Sequence, residues 1–341
     1  MQPSLQLQKL TNLLLSGTSH WGERRECLQE MHRLFVTCGA LDMWQENSDS
    51  KEAVWLEGGY AVSPFSAGMC LFEITRTRLF VQSLIDAINQ LLETKQERPL
   101  HVLDAGCGPY ALLSLLAAQY FTAEEVQFSI LDIHPSNMQS AQQLIKNLSL
   151  ENRFADYIIG DACTYQWPQD KNLHIIIAET MLNGLRKEPQ VAVTLHLAPQ
   201  LCEGGIFIPE KIEVDFVMND MKMQNKKLQE MAEREDYSMP DYSPFEELLC
   251  NVITLSKGST IKYISRNPIA NVIIPAHYQP EYHYLKLYTT ITVFGNHIMH
   301  HHDSSLTAPI VIAQPNKNPS SRGTEFHFYY RLNEKPEIKF R

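Results

Sequence analysis

The sequence predicts an α/β protein: a parallel sheet wound with helices, followed by a β-rich half that carries one helical arm. Three observations support this. Between residues 100 and 209, apolar runs of strand length alternate with stretches of helical spacing, as a parallel sheet requires. From 251 to 341, short Val/Ile/Thr/Tyr runs are broken by Gly258, Pro268, Pro275, Pro280, Gly295, Pro309 and Pro315, which is β texture. Between the two, residues 211–217 alternate with period two, and 219–235 return to a helical stretch rich in Met, Lys, Gln and Glu. The expected division is an N-terminal helical segment at 1–66, a parallel-sheet domain at 67–209 and a β-rich domain, barrel or sandwich, at 210–341.

Taken in order, residues 4–16 and 23–38 have helical spacing of Leu, Met and Phe, with a Ser-Gly-Thr-Ser turn between them. Residues 44–66 read as irregular, with Gly58, Gly59 and Pro64, and 68–94 as one long amphipathic helix. Strands are expected near 100–105, 126–132, 155–159, 173–178 and 204–208, and helices near 110–120, 134–148 and 188–201.

Composition narrows the function classes. A chain of 341 residues, 44% hydrophobic and 20% charged, is ordinary for a globular enzyme with more than one domain. The formal net charge of −10 argues against a nucleic-acid partner, which needs a basic face, and suits a small or cationic substrate. No signal peptide and no membrane span is expected, because Leu13-Leu14-Leu15 is the longest early apolar run and is far too short. The seven cysteines include no C-x-x-C pair, which points to reduced thiols in a cytoplasmic setting without structural zinc. His300-His301-His302-Asp303 invites a metal reading, but neighbouring residues on a strand point to opposite faces, so no metal is expected there.

Val102-Leu103-Asp104-Ala105-Gly106-Cys107-Gly108-Pro109-Tyr110 is the most informative run. It reads as a buried strand, a tight glycine turn and a helix beginning near Ala111. Such a turn lets a ligand press against bare backbone, and the helix behind it offers unpaired N–H groups to an anion. The next strand ends on Asp132, placed to accept from ribose hydroxyls. The third ends at Gly160-Asp161-Ala162, where a second acid can accept from an exocyclic amine. A nicotinamide site would normally show G-x-G-x-x-G, and the third glycine is missing here.

Glycine turn, ribose acid and base-edge acid in this order resemble the class I S-adenosylmethionine-dependent methyltransferases, with a Rossmann-like domain. The segment after the fourth strand, Ala178-Glu179-Thr180-Met181-Leu182-Asn183-Gly184-Leu185-Arg186-Lys187-Glu188, sets two glutamates nine apart and is followed by Gly205-Ile206-Phe207-Ile208-Pro209. This order is similar to the protein arginine methyltransferases, in which a two-glutamate loop precedes a β-barrel. Cys70-Leu71-Phe72-Glu73-Ile74-Thr75-Arg76-Thr77 is similar to that family's M-L-x-D-x-x-R-T helix. The resemblance covers roughly residues 60–341.

It implies S-adenosyl-L-methionine as cofactor, held by Arg76, Asp104, Gly106, Gly108, Asp132, Asp161 and Ala162, with Glu179 and Glu188 as catalytic carboxylates. It also implies a homodimer through the arm at 219–235. The family's Thr-His-Trp loop is missing, for Trp21, Trp44, Trp55 and Trp167 all lie outside the β-rich half. The acceptor therefore stays open between a guanidino metabolite, a biosynthetic intermediate and arginine in a peptide.

Other readings stand beside these. Asp104 could be a turn former, Asp132 a helix cap, Asp161 a solvated loop residue and Glu188 a helix start before Pro189. Arg78 competes with Arg76, since the two lie on different helix faces. Tyr60 and Phe65 are candidates for aromatics over the cofactor or for plain core. Cys107 reads as a small packing residue. The alternative function is methyl transfer to an oxygen, carbon or simple amine of a small molecule, and a catalytically silent scaffold is a further possibility.

Overall fold

The computed structural model describes residues 2–44, 51–233, 243–260, 264, 268–274, 282, 284–313, 323 and 325–341. Two helices open the chain, α1 (Pro3–Leu15) and α2 (Trp21–Thr37). They bury Leu7, Leu14, Leu28, Met31 and Phe35 against the rest of the core. The following segment is tied to the central domain: Leu41 N–H donates to Ser140 Oγ at 2.9 Å, and Tyr110 Oη donates to the Leu41 carbonyl at 2.9 Å.

The stretch expected to be irregular holds a small antiparallel hairpin, β1 (Val54–Leu56) and β2 (Gly59–Ala61), and then α3 (Pro64–Met69), capped by Ser63. The long helix expected over 68–94 is broken. A 3-10 turn at Cys70–Phe72 separates α3 from α4 (Ile74–Thr94). The break falls at Glu73, at φ −79 and ψ 82. The Glu73 carboxylate accepts from Ser304 Oγ at 3.0 Å and from Ser305 N–H at 3.2 Å. A long-range contact thus overrides a local helical pattern.

The central sheet is built from β3 (Leu100–Ala105), β4 (Val126–Asp132), β5 (Phe154–Ile159), β6 (Ile175–Ile177) and β7 (Ile206–Ile208). All its pairings are parallel, and the spatial order is β5-β4-β3-β6-β7. The strands are nearly continuous Val/Ile/Leu/Phe because both faces are covered. The covering helices here are α5 (Leu112–Ala117), α6 (Pro135–Asn147) and α7 (Gln190–Leu197). α5 and α7 are shorter than expected and end in 3-10 turns, the second at Pro199, whose ring cannot continue an α-helix. The chain leaves β3 first toward one edge and later toward the other, so the sheet reverses direction between β3 and β6. Ligand crevices in such sheets open at that point, beyond the carboxyl ends of the strands.

The second half is antiparallel. β8 (Lys211–Asn219) leads into α8 (Met221–Glu233), and then come β9 (Glu246–Ser256), β10 (Ala270–Ile273), β11 (Tyr284–Phe294), β12 (His297–Met299), β13 (Ile310–Ala313), β14 (Glu325–Arg331) and β15 (Glu337–Phe340). One sheet runs β12-β11-β8-β9, with β13 also on β11, and another runs β10-β14-β15. The two meet through Phe216 on β8, whose ring lies 5.6 Å from Phe326 and 5.0 Å from Phe328 on β14. The arm expected at 219–235 is helical over 221–233, capped by Asp220, which accepts from Lys222 and Met223 N–H. Residues 234 and 235, Pro275, Pro280 and Pro315 lie outside the described residues. The His300–His302 run is not on a strand as expected. It turns after β12, and His302 has φ +71.

Candidate active site

A cavity of about 300 Å³ opens at the carboxyl end of the central sheet, and Arg76, Asp104, Gly106, Gly108, Asp132, Asp161, Ala162, Glu179 and Glu188 all line it. On the side of β3 and β4, the glycine turn is locked by its own backbone. Gly106 and Cys107 N–H both donate to the Leu131 carbonyl, at 2.8 and 3.1 Å, and Gly108 N–H donates to Asp132 Oδ2 at 2.9 Å. These three amides are therefore not free donors for an anion. What the turn offers is bare surface. Gly106 sits at φ +83, and a Cβ there would come within 2.5 Å of Thr180 Cγ2. Ala111, expected to open the helix, is instead its N-cap residue in a left-handed conformation, φ 43 and ψ 44.

Asp104 is buried and accepts from Ser114 Oγ at 2.6 Å and Ser114 N–H at 3.3 Å, so it ties β3 to the first turn of α5. Burial pushes its carboxyl up to about 6, against the two Ser114 hydrogen bonds and with a small push from Asp132. Asp132 accepts from Gly108 and His134 N–H and from Asn137 Nδ2, at 2.9, 2.8 and 3.0 Å. A carboxylate has about four acceptor positions, so Asp132 keeps room for roughly one further donor rather than two ribose hydroxyls. Burial raises its pKa, opposed by these bonds. Asp161 sits in the loop after β5, where its Oδ1 accepts from Cys163 N–H at 2.8 Å, beside Ala162. Cys107 is buried with its thiol held well above the ordinary range by burial and the two aspartates, as a packing residue would be.

Across the cavity, Glu179 leaves the tip of β6. Its side chain is 7% exposed, and its Oε2 forms an ion pair with Arg76 Nη2. Its other oxygen, Oε1, is buried without a hydrogen-bond partner among the described residues. An unsatisfied buried carboxylate oxygen is costly and calls for an explanation. Glu188, nine residues on, lines the same cavity, and burial raises its pKa to about 7 against the pull of Arg76 and Lys187. α7 begins only at Gln190, with Pro189 as N-cap, so Glu188 precedes the helix. The loop between the glutamates is pinned from the β-rich half. Asn183 Nδ2 donates to the Ala308 carbonyl at 2.6 Å, Gly184 N–H to Thr289 Oγ1 at 2.9 Å, Tyr330 Oη to the Leu185 carbonyl at 2.7 Å and Lys187 N–H to the Pro336 carbonyl at 2.6 Å.

Arg76 lines the cavity and Arg78 does not; burial, and to a lesser degree the like charge of Arg24 on α2, lower the pKa of Arg78. Tyr60 lines the cavity and Phe65 packs on the core instead. Sequence reasoning missed several residues that line or brace the cavity. His134 Nε2 shares a hydrogen bond with the Val62 carbonyl at 2.9 Å, holding 60–62 near the opening. Gln190, fully buried, accepts Thr180 N–H at 2.9 Å and Thr180 Oγ1 at 3.1 Å, fixing the residue after Glu179. Ser305 and Leu306 close the cavity from the β-rich half. His134 and Asn137 follow Asp132 closely enough to have been suspected; nothing local marks Ser305.

The His300–His302 turn stands apart from this cavity, with His301 stacked on Tyr288 at 4.4 Å. Among the described residues, no group of three His, Cys, Asp or Glu is placed to hold a metal ion, and no helix is long and apolar enough to cross a membrane.

No protein-family model matches the chain, and no curated protein sequence matches it. Solved structures do. The chain is similar to a Trypanosoma brucei PRMT1 enzyme–prozyme heterotetrameric complex with AdoHcy, at 15% identity and TM-score 0.50 over 78% of this chain and 89% of that one. It also aligns with PRMT6 bound to SAH, at 12% identity and TM-score 0.46 over 77% and 98% of the two chains. A further match is PRMT6, at 12% identity and TM-score 0.49 over 79% and 99%. The protein thus has the fold of the trypanosomal PRMT1 structure: a Rossmann-like parallel-sheet core followed by antiparallel β sheets.

Proposed function

We propose that this protein is an S-adenosylmethionine-dependent N-methyltransferase whose acceptor is a guanidino or related cationic nitrogen. The observation that carries the reading is the Glu179 carboxylate: one oxygen pairs with Arg76, the other is buried without a hydrogen-bond partner among the described residues, and the residue lines the same cavity as Glu188. A planar guanidinium presents paired N–H donors that suit such an oxygen. The shared fold with a structure that holds AdoHcy supports the choice of donor.

The residues present fit the donor. Arg76 would hold its carboxylate with the N–H groups not spent on Glu179, the open acceptor position of Asp132 would take a ribose hydroxyl, and Asp161 would take the exocyclic amine. Gly106 and Gly108, both with positive φ, leave the backbone bare for it, while Asp104 holds the turn in shape. When bound, the donor supplies a methyl group already activated on a sulfonium. The chain contributes alignment and charge. Glu179 and Glu188 grip the acceptor N–H groups and keep positive charge away from the attacking nitrogen. Glu188, whose proton affinity lies near neutrality, is matched to take up the proton that the nitrogen sheds.

The same reading divides the chain into 1–66, 67–209 and 210–341, and makes α8 the contact of a homodimer. Met223 and Leu228 on α8 are exposed, apolar surface that a partner copy would cover. Seven free cysteines suit a cytoplasmic protein. The test is S-adenosylhomocysteine release with arginine peptides, free arginine, primary amines and phenols, in wild type and Glu179→Gln. Turnover of guanidino compounds that Glu179→Gln abolishes supports the proposal. Turnover of phenols that survives the substitution favours oxygen transfer, and binding without any turnover favours a scaffold.

A further inference from the structure

Beside Glu188 stands an aromatic pair for which the proposed reaction has no use. Trp55 and Tyr60 face each other in register across the β1–β2 hairpin, with ring centroids 4.7 Å apart. The hairpin is seated on the glutamate loop. Tyr60 N–H donates to the Lys187 carbonyl at 2.7 Å. A Cβ on Gly59 would come within 2.7 Å of Pro189 N and 2.8 Å of the Glu188 carbonyl carbon, so the two backbones lie directly against each other. Tyr60 lines the cavity, while Trp55 is 53% exposed, unusual for a side chain that is mostly buried on average.

A cation already uses this platform. Lys335 Nζ sits 5.3 Å from the centre of the Trp55 ring. Lys335 belongs to the turn between β14 and β15, and the next residue, Pro336, accepts Lys187 N–H at 2.6 Å. The ammonium is therefore held over the ring by a segment fastened to the same loop as Glu188.

The geometry points to a second acceptor subsite: Trp55 and Tyr60 receive a cationic side chain that neighbours the methylated nitrogen in a basic peptide, and Lys335 is the internal occupant it displaces. This inference rests on the reading of Glu179 and Glu188 as the acceptor carboxylates. The ring face attracts a cation through its quadrupole, most strongly for tryptophan. Lys335 gives way readily because its compact ammonium recovers full hydration on leaving. A guanidinium is flat and more weakly hydrated, so it stacks better on the vacated ring. The subsite thus prefers a neighbouring arginine to a lysine, and it favours a peptide over a free guanidino metabolite, which has no second cation to place there.

The experiment uses the whole chain and two labelled peptides of equal length. One carries a single arginine in a Gly/Ser background, and the other adds a second arginine at one of several spacings. Binding is read by fluorescence anisotropy with S-adenosylhomocysteine present, and turnover separately by product release. The diarginine peptide is expected to bind about five- to tenfold tighter. Trp55→Ala should remove that gain and leave the single-arginine peptide unchanged, Trp55→Phe should keep part of it, and Lys335→Gln should tighten the diarginine peptide by about two- to threefold. Equal binding of both peptides by wild type overturns the subsite. So does a Trp55→Ala loss that falls equally on both peptides, which would make the ring a mere support for the loop. A Lys335→Gln variant with wild-type affinities overturns displacement. Diarginine-selective binding without methyl release keeps the subsite and refutes N-methyl transfer; methylation of the single-arginine peptide with no gain from a second arginine does the reverse.

Discussion

On the Asp132 side of the cavity, Asp104, Gly106, Gly108, Asp132 and Asn137 all come from one stretch of 34 residues, 104–137, and most of their hydrogen bonds stay within it. The Glu179 side is drawn from 56–62, Arg76, 179–189 and 305–306, and its loop is held by bonds that span 105, 125 and 145 residues. The first half is fixed by neighbours in sequence, the second only once the β-rich half has folded against the sheet. A perturbation in the β-rich half should therefore weaken acceptor handling and leave donor binding intact. The two halves meet where Gly106 lies against Thr180 and where His134 holds the Val62 carbonyl, and the Arg76–Glu179 ion pair links the residue assigned to the donor with the acceptor carboxylate.

The largest expected effect cuts that link. Glu179→Gln should lower the rate of methyl transfer by about 100- to 1000-fold, the scale of losing a preorganised charge. It should at the same time tighten S-adenosylhomocysteine binding, because Arg76 is released to the donor carboxylate. Parallel loss of both would break the division into halves.

Next comes the glycine turn. Gly106→Ala places a Cβ at φ +83 and against Thr180, which adds a steric cost to about 1–2 kcal/mol of backbone strain. A fall of about tenfold or more in S-adenosylhomocysteine affinity by calorimetry is expected. Unchanged affinity would mean that the donor does not press on this turn.

Tyr330→Phe sharpens the comparison from the other side. It removes the hydroxyl that holds the Leu185 carbonyl and leaves that acceptor buried, a cost of about 1–3 kcal/mol measurable by chemical denaturation. Acceptor KM should rise, and S-adenosylhomocysteine affinity should stay put. A fall in donor affinity would show the halves to be one unit.

The smallest effect is electrostatic. Glu188 has a carboxyl raised from 4.5 to about 7, so the folded protein binds its proton more tightly than the unfolded chain does. Stability from this group is therefore greatest below pH 4.5 and is lost as pH rises toward 7. Glu188→Gln lacks the penalty, so its Tm should gain on wild type between pH 5 and 8 (E188Q minus wild type increasing, about a few degrees at most). A cationic acceptor favours the ionised form, so its KM in wild type should fall over the same interval and stay flat in the variant. A flat wild-type profile would remove Glu188 from acceptor binding.

The same contrast explains what could be read from the sequence. Asp104, Gly106, Gly108 and Asp132 sit at strand ends in a strand–turn–helix unit, and local patterning locates them. Glu179 and Glu188 were found through their spacing in a loop that resembles a known one and Arg76 through its place in a helix that does, whereas the competing Arg78 could be set aside from the cavity only in three dimensions. The bonds that occupy the turn amides and most of Asp132 were invisible, because which acceptor an amide meets depends on strand register. The break at Glu73 was invisible for a stronger reason: Ser304 and Ser305, more than two hundred residues away, supply its partners. The β1–β2 hairpin hid in a stretch whose glycines read as loop, although Gly59 is there to lie against the Glu188 backbone.

The most direct measurement is calorimetric titration of S-adenosylhomocysteine into wild type, Arg76→Ala and Arg78→Ala. The account predicts binding at one site per chain in wild type, a loss of about tenfold or more in Arg76→Ala and wild-type affinity in Arg78→Ala. No heat of binding in wild type, or equal losses in the two variants, would contradict it.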